Sequence, residues 1–312
     1  MEQIMIENII NGRFDEIQRF SVNCTLLEIM QMQNKSFGKN ILHGIQTRFT
    51  KVFHNPYRRL GVNRFRLIYY KHLSPGKPRT HRLFGNDLSF LSTTELLHGF
   101  KEIFLDEIYK QELPAKPFII DCGANIGLSV IYMKSLYPDA EIMAFEPDEQ
   151  NFKLLEKNVQ SFGFTGVTLK KEAVWVEDTV LKFANEGSMS SKINTDAHHA
   201  TINVNAVRLK NYLARKVDFL KIDIEGAEYA VLRDIKDDLR LVNNLFVEYH
   251  GIFQQQNELD ELMSIIRACG FTYYIKEAAE VYKTPFLRIK NPLIPYDIQL
   301  NIFCFRSLIN PV

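Results

Sequence analysis

The residues of this sequence best suited to proton transfer lie at the ends of two apolar segments in its second half. Asp223, Glu225 and Glu228 end one segment and begin the helical pattern after it, while Glu248 and His250 end the next segment. Residues two apart in a strand share one face of a sheet. An acid and a histidine at adjacent strand ends suit a hydroxyl group that must lose its proton. Asp223 and His250 are therefore predicted to flank one acceptor atom.

Other interpretations of these residues stay open. Glu225 and Glu228 could simply favour the positive end of a helix dipole, with Asp223 as the N-cap, and His250 could be structural. The carboxylates could instead bind a divalent metal that activates the hydroxyl. No ligand spacing requires a metal, and the widely spaced cysteines (Cys24, Cys122, Cys269 and Cys304) form no zinc pattern with the histidines. No metal site is therefore predicted.

A glycine-containing turn follows the apolar segment 118–121 and precedes a helical pattern. Its sequence is Asp121-Cys122-Gly123-Ala124-Asn125-Ile126-Gly127, and Gly123 and Gly127 permit a tight turn and a close backbone approach to a ligand. Ligands of open α/β sheets lie at such turns, where the strand order reverses. Asp121 could hydrogen-bond the ligand, or it could be a buried acid that holds the turn together.

Further acids follow the next two apolar segments. Glu146 lies where it can accept hydrogen bonds from both hydroxyls of a ribose, although it could also cap the helix that begins near Pro147 and Asp148. Asn125 stands where a dinucleotide-binding turn has its central glycine, so the predicted ligand contains a ribose but no pyrophosphate. Glu172 and Ala173 could contact the base of such a ligand.

The elements that must position these residues alternate between short apolar strands and helices. This is the pattern of a mainly parallel sheet with helices on both faces. Strands are predicted at 118–121, 141–146, 167–174, 217–223, 244–249, 271–276 and 298–305, and helices near 127–136, 148–162, 227–235 and 258–269. The predicted fold is therefore an α/β domain with a doubly wound, seven-stranded sheet, covering residues 113–312.

Residues 1–112 are predicted to form an N-terminal extension that is helical, then contains a β-hairpin, then a helix. Apolar spacing predicts helices over about the first 60 residues, strands at 64–70 and 82–84 around a turn at 74–78, and a helix at 94–111. Residues 113–117 are predicted to link this extension to the main domain. A homo-oligomer could form through the N-terminal helices.

The charge distribution is uneven although the net charge is only +1. Between Glu28 and Asp87 the chain has no acidic residue and twelve lysines and arginines. Such a stretch can attract an anionic substrate, a nucleic acid or a membrane surface, or can dock on the acidic remainder of the chain. The sequence shows neither a long apolar run nor a signal-peptide pattern, and the cysteines have the spacing of buried thiols. The predicted location is the cytoplasm.

Taken together, these motifs resemble the FkbM family of class I methyltransferases. The resemblance is carried by the turn at 121–127, by Phe145-Glu146-Pro147, by the segment 221–228 and by Glu248-Tyr249-His250, and it covers about residues 90–306. The Asp-Ile-Glu-Gly-Ala-Glu segment at 223–228 is its most specific part. The resemblance implies S-adenosylmethionine as donor and O-methylation of a hydroxyl on a sugar, glycan or secondary metabolite.

The resemblance also implies roles for particular residues. Cofactor contacts are expected at Asp121, Gly123, Asn125, Gly127, Glu146 and Asp223, with Glu172 and Ala173 near the adenine. Active-site roles are expected at Asp223, Glu225 and His250. Residues 185–191 resemble the family's variable loop over the cofactor, whereas His198 and His199 match no motif of the family.

Two alternative functions compete with O-methylation of a small molecule or glycan. A nucleic-acid methyltransferase is favoured by the basic stretch and its interleaved Phe65, Tyr69 and Tyr70. However, Asn55-Pro56-Tyr57 precedes the glycine turn, whereas the Asn-Pro-Pro-Tyr of amino-methylating enzymes would end the fourth strand. The other alternative is a non-catalytic binding module on the same fold. A small-molecule or glycan acceptor, which could be anionic, is therefore expected in preference to nucleic acid, and peripheral membrane contact stays open.

Overall fold

The chain divides into two units, residues 1–56 and 57–312, and the account below is of the second unit. The computed structural model describes residues 55–184 and 201–306. The predictions for residues 1–54, including Cys24, for the loop 185–191, and for His198 and His199 lie outside the described residues.

The described elements are six α-helices, fourteen strands and several short turns of other helix types. The helices are α1 (Arg64–Lys71), α2 (Thr93–Gly99), α3 (Leu128–Leu136), α4 (Glu149–Ser161), α5 (Glu228–Asp234) and α6 (Gln256–Ala268). The strands are β1 (Arg79–Leu83), β2 (Asn86–Phe90), β3 (Phe118–Cys122), β4 (Glu141–Phe145), β5 (Val167–Lys170), β6 (Ala173–Trp175), β7 (Thr179–Ala184), β8 (Thr201–Arg208), β9 (Val217–Ile222), β10 (Val242–Gly251), β11 (Phe271–Glu277), β12 (Tyr282–Thr284), β13 (Ile289–Lys290) and β14 (Ile298–Arg306). A π-helical turn (Phe100–Leu105) continues α2, and 3₁₀ turns lie at Pro56–Leu60, Leu209–Tyr212, Leu239–Leu241, Phe253–Gln255 and Pro285–Leu287.

Seven strands form one sheet in the order β11, β14, β10, β9, β3, β4, β5. The five strands from β10 to β5 pair in parallel, while β14 is antiparallel to both β10 and β11. The predicted seven-stranded, mainly parallel sheet is thereby confirmed. The strand order reverses between β3 and β9, so a crevice is expected outside their carboxyl ends.

Helices cover both faces of this sheet because its central strands are apolar on both sides. Every residue of β3 and β9 is buried. One face packs Ile120 and Leu220 against Val231 of α5 and Ile266 of α6. The opposite face packs Ile119 and other apolar side chains against α3 and α4. The sheet is therefore doubly wound, as predicted.

The third predicted strand is wrong in its second half. Residues 167–174 break after Lys170, and β6 then pairs in parallel with β8 in a separate three-stranded sheet that also contains β7. The break falls at the polar residues Lys171 and Glu172, which follow the last ladder position opposite Phe145. Glu172 is thus placed at the carboxyl end of β5.

The predictions before residue 113 are corrected in three places. Residues 64–70 form helix α1 and not a strand, because the Asn63 side chain accepts the Arg66 backbone N–H and caps a helix. The β-hairpin turns at residues 84 and 85, between β1 and β2, and not at 74–78. The helix predicted at 94–111 ends as an α-helix at Gly99 and continues only to Leu105 as a π-helical turn.

The region before the sheet packs onto the main body through α3. Leu88, Leu96 and Phe100 share one apolar cluster with Leu128 and Ile131 of α3. Within the described residues, none of the helices has the length and apolar character needed to cross a membrane. The described part of the N-terminal region therefore contributes to the same core that supports the glycine turn.

Substituting Gly123 tests how tightly the ends of β3 and β9 are joined. A β-carbon on Gly123 would lie 1.9 Å from the Asp223 carbonyl oxygen, and the backbone φ is +89°. We expect Gly123→Ala to lower the free energy of unfolding by about 3 kcal/mol, measured by urea denaturation. Gly163→Ala is the matched control, since φ is +64° there and no atom lies within 4 Å of the new carbon. It should cost about 1 kcal/mol, and equal losses in the two variants would contradict the argument.

Candidate functional site

The glycine turn after β3 is built from three residues in the left-handed region of backbone conformation. Gly123 has φ +89°, Asn125 has φ +49° and Gly127, the N-cap of α3, has φ +91°. The Gly123 and Ala124 N–H groups donate to the Phe145 carbonyl at 3.0 and 2.8 Å. The close approach that Gly123 permits in this structure is to the backbone of Asp223. The turn therefore ties the ends of β3, β4 and β9 together.

Glu146 lies buried beside this turn. Its Oε2 accepts the Asn125 N–H at 2.7 Å, and its Oε1 accepts the Asp148 N–H at 2.9 Å. Burial raises the pKa of Glu146 to about 7, and the two backbone N–H groups oppose this rise. The cap of α4 is instead Asp148, whose carboxylate accepts the N–H groups of the first turn. Each Glu146 oxygen keeps a lone pair for a further donor.

A buried lysine that the sequence analysis missed connects the turn to the acids after β9. Lys221 Nζ lies 3.2 Å from Asp121 Oδ1 and 3.2 Å from Asp223 Oδ2, and it donates to the Gly123 carbonyl at 2.8 Å. Asp121 also accepts the Ser129 hydroxyl at 2.5 Å, so it holds the turn together, the second of its two predicted roles. The only pattern pointing to Lys221 was a single cation inside the buried strand β9.

The structure brings together Asp223, Glu225 and His250, the three residues for which active-site roles were expected. One oxygen or nitrogen from each of Asp223, Glu225 and His250 lies within 4.8 Å of the other two. The Asp223 and Glu225 side chains are 26% and 31% exposed, whereas the His250 side chain is 1% exposed. The two carboxylates therefore face the opening, and the imidazole lies behind them. We call Asp223, Glu225, Glu228, Glu248 and His250 the acid cluster.

His250 is held from behind by Glu228, which the sequence analysis did not include among the site residues. The two side chains meet at 2.9 Å between His250 Nδ1 and Glu228 Oε1. Glu228 also accepts the Ile224 and Gly226 N–H groups. Helix α5 begins at Glu228 with no side-chain cap, so the alternative that Asp223 caps it is wrong. The third acid of the 223–228 segment thus fixes the imidazole.

The other imidazole nitrogen faces acids as well. His250 Nε2 lies 3.5 Å from Glu248 Oε1 and 3.8 Å from Glu225 Oε2. Gln299 Nε2, opposite His250 on β14, donates to Glu248 at 2.8 Å and lies 3.2 Å from His250 Nε2. Burial alone would lower the pKa of His250, but the charge of Glu228, with Glu248 and Glu225, raises it well above its ordinary value. The surrounding carboxylates therefore favour the protonated imidazole.

Tyr296 closes one side of the acid cluster, and no sequence pattern predicted it. Its hydroxyl donates to the Glu225 carbonyl at 2.9 Å and lies 3.1 Å from Glu225 Oε2. Its ring lies 4.7 Å from the His250 ring, measured between centroids. Glu225 itself has φ +57°, a strained conformation for a non-glycine residue. The tyrosine helps to hold Glu225 in that conformation.

The acid cluster has more acids than cations. Burial raises the pKa of Asp223 to about 7 although Lys221 opposes this rise, and burial also raises the pKa of Glu225. Such a site favours a cationic ligand. Asp223, Glu225 and His250 have the spacing to hold a divalent metal ion, which the sequence did not predict. A metal would have to replace the proton on His250 Nε2.

Glu172 and Ala173 lie just beyond the carboxyl end of β5, on the far side of β4 from the acid cluster. Glu172 Oε2 is buried and accepts no hydrogen bond from any described residue. Ala173 is buried in β6, next to it in sequence. A buried carboxylate oxygen without a donor is costly unless a ligand satisfies it. This is consistent with the predicted contact to a base.

Comparison with known proteins gives a consistent result. The family model described as "Methyltransferase FkbM domain" matches residues 121–273. Methyltransferase 1 of Beauveria bassiana is 30% identical over 212 residues, 58% of this chain and 82% of that protein. Methyltransferase sdnD of Sordaria araneosa is 31% identical over 197 residues, covering 51% and 76%. The 31-O-demethyl-FK506 methyltransferase FkbM of Streptomyces tacrolimicus is 24% identical over 228 residues, covering 60% and 86%.

The pairing of His250 with Glu228 can be tested by removing one charge. We expect Glu228→Gln to lower the pKa of His250, because burial still lowers it and the carboxylate that raises it most is gone. The measurement is an NMR titration of the labelled imidazole. Glu280→Gln, at an exposed acid distant in sequence, should leave this pKa unchanged. A His250 pKa that is the same in both variants would show that Glu228 does not set it.

Proposed function

Because this chain belongs to the FkbM family of S-adenosylmethionine-dependent methyltransferases, we propose that it methylates a hydroxyl oxygen of a sugar, glycan or secondary metabolite. The observation that carries the proposal is the direct contact between the glycine turn and the acid cluster. Gly123 lies against the Asp223 carbonyl, and Lys221 binds both residues. A donor bound at the turn and an acceptor bound at Asp223 would therefore be neighbours, as in-line transfer requires.

The residues around the turn fit S-adenosylmethionine, which supplies an electrophilic methyl group on a positively charged sulfur when it is bound. In this proposal Glu146 accepts both ribose hydroxyls with the lone pairs left over from its backbone bonds. Glu172 Oε2 accepts the exocyclic amine of the adenine beside Ala173. Gly123, Asn125 and Gly127 form the surface on which the nucleoside lies. The acids at 223, 225 and 248 favour the positive charge of the donor.

Asp223 is the residue we assign to receive the proton. Its carboxylate reaches the opening, contacts Lys221 and has a pKa of about 7, which suits a general base at neutral pH. With the donor held at the glycine turn, the acceptor oxygen would bond to the methyl carbon as the bond from that carbon to sulfur breaks, its electron pair staying on the sulfur of the departing thioether, and the hydroxyl proton would pass to Asp223 Oδ. The sequence had left Asp223, Glu225 and His250 as equal candidates. We assign His250 as a positioning residue, because its side chain is buried behind Glu225 and the surrounding carboxylates raise its pKa.

A hydroxyl acceptor is also supported by one relative and by the end of β9. The name 31-O-demethyl-FK506 methyltransferase specifies transfer to an oxygen in that protein. The acids at 223 and 225 occupy the strand end where an amino-methylating enzyme would have Asn-Pro-Pro-Tyr. Nucleic acid thus remains the weaker alternative acceptor, and salt-sensitive binding of RNA would be its signature.

Cofactor affinity should depend on pH through Glu146. Ribose hydroxyls donate to the ionised carboxylate, so binding lowers its pKa, and affinity is lost as the pH falls through about 7. We expect S-adenosylmethionine to bind about tenfold more weakly at pH 6 than at pH 8, measured by calorimetry. The same titration on Glu146→Gln subtracts every other ionisable group, including those of the ligand. An equal pH dependence in wild type and variant would refute the role of Glu146.

Asp223 should affect turnover and not cofactor binding. With a labelled methyl donor and a panel of nucleotide sugars, glycans and lipid-linked saccharides, Asp223→Asn should lower kcat about 100-fold or more. Its affinity for S-adenosylmethionine should stay within about threefold of wild type, since the amide keeps the contact with Lys221. NMR of the labelled product distinguishes an O-methyl group from an N-methyl group. Asp260→Asn, at an exposed acid on α6, is the control.

Three results of this assay would count against the assignment. Wild-type turnover by Asp223→Asn would place the base elsewhere. Labelling of RNA, and of none of the hydroxyl compounds, would favour the nucleic-acid alternative. Loss of turnover after treatment with a chelator, restored by Mg²⁺ or Mn²⁺, would show that the three grouped ligands hold a metal.

A further inference from the structure

The segment between β11 and β14 exposes an unusual amount of apolar surface for its length. Phe286 is fully exposed, and Leu287, Ile289 and Leu293 are 71%, 57% and 88% exposed. These four side chains lie within eight residues of sequence, on and beside the small β12–β13 hairpin. We call Phe286, Leu287, Ile289 and Leu293 the apolar tip. Clustered exposed apolar residues of this kind mark an interaction surface more often than single ones do.

The base of this segment is fixed to the end of β10, next to the acid cluster. Asp297 accepts the Tyr282 hydroxyl and the Lys290 ammonium, each at 2.8 Å, and the Phe253 N–H at 3.1 Å. The Asp297 N–H donates to the Gly251 carbonyl at 2.9 Å, one residue beyond His250. Its neighbour Tyr296 is the residue that bonds Glu225. The segment that carries the apolar tip is therefore anchored beside the acid cluster.

The stretch of sequence that carries the apolar tip contains positive charges and no negative ones. Between Val281 and Tyr296 there is no acidic residue, and the cations are Lys283, Arg288 and Lys290. Lys290 is paired with Asp297, whereas Lys283 and Arg288 are exposed. The segment thus combines large exposed apolar side chains with exposed cations close to them in sequence.

Among the surfaces that could cover the tip, an anionic lipid bilayer fits both properties. Apolar side chains enter the boundary of the acyl chains while lysine and arginine bind the headgroups. A second copy related by two-fold symmetry would bring like charges together. Nucleic acid would match the cations but would leave the aliphatic side chains exposed.

We propose that the apolar tip docks the protein on an anionic lipid surface, so that its methyl acceptor is an amphipathic hydroxyl compound held in that surface. The docking follows from the tip alone. The statement about the acceptor rests on the proposed function, because it needs Asp223 and Glu225 to receive a hydroxyl beside the tip. This narrows the acceptor to molecules that present a hydroxyl at a bilayer surface.

The test is cosedimentation of the full chain with phosphatidylcholine vesicles that contain or lack phosphatidylglycerol. We expect the double variant Phe286→Ser, Leu287→Ser to partition onto anionic vesicles at least about tenfold less than wild type. Arg288→Ser should reduce partitioning severalfold, and more at low salt. The comparison between wild type and variants is the measure, since the basic stretch before Asp87 could add binding of its own.

Val180→Ser is the matched control, because Val180 is an exposed apolar residue on β7, away from the tip in sequence. It should partition like wild type. Calorimetry with S-adenosylmethionine shows that the double variant is folded. Equal partitioning of wild type and double variant would overturn the docking, and so would dimers in the wild type that the double variant loses in analytical ultracentrifugation.

Docking and chemistry can fail separately in this design. Asp223→Asn should sediment with vesicles like wild type, because docking does not use the acid cluster. If the double variant methylates bilayer-held saccharides as fast as wild type, the inference about the acceptor is overturned even when vesicle binding is lost. Failure of O-methylation with every acceptor would overturn the proposed function and leave the docking measurement intact.

Discussion

The ion pair between Lys221 and the acids at 121 and 223 is the interaction on which the rest of the site depends. All three side chains are at the carboxyl ends of β3 and β9, and Lys221 also binds the Gly123 carbonyl. A buried charge that loses its partner is costly, by about 3–5 kcal/mol, so these groups hold one another in place. The glycine turn and the base assigned here therefore cannot move independently.

This coupling divides the sheet into two functional halves that meet at Lys221. The half formed by β3, β4 and β5 carries Glu146 and Glu172, whose buried oxygens have the capacity to accept further hydrogen bonds. The half formed by β9, β10 and β14 carries the acid cluster, in which exposure decreases from Glu225 to His250. This decrease in exposure leaves ionisable carboxylate oxygens accessible to solvent, with the imidazole fixed behind them. A carboxylate there can change its protonation state while the buried imidazole keeps its position.

The sequence was sufficient for the features that depend on local pattern. The seven strands and the glycine turn follow from apolar runs and from residue types at fixed spacing. It failed where one residue decides between two patterns: Asn63 turns the alternation at 64–70 into a helix, and Lys171-Glu172 splits the third strand. The contact of Glu228 with His250 and that of Tyr296 with Glu225 were not predicted, because the partners are 22 and 71 residues apart in sequence. Burial and pairing of that kind are tertiary properties.

The antiparallel strand β14 brings a further segment of the chain beside the acid cluster. It enters the sheet between β10 and β11 and begins opposite Gly251, so the chain crosses from β11 to β14 through residues 278–297 at the edge of the sheet where the acid cluster lies. The family match ends at residue 273, before this crossing, and includes every residue proposed to bind the donor. Under the proposed function, substitutions in this segment would act on the acceptor side of the site, since the segment does not contain Lys221 or the glycine turn. Tyr296 links this segment to Glu225, because its hydroxyl donates to the Glu225 carbonyl.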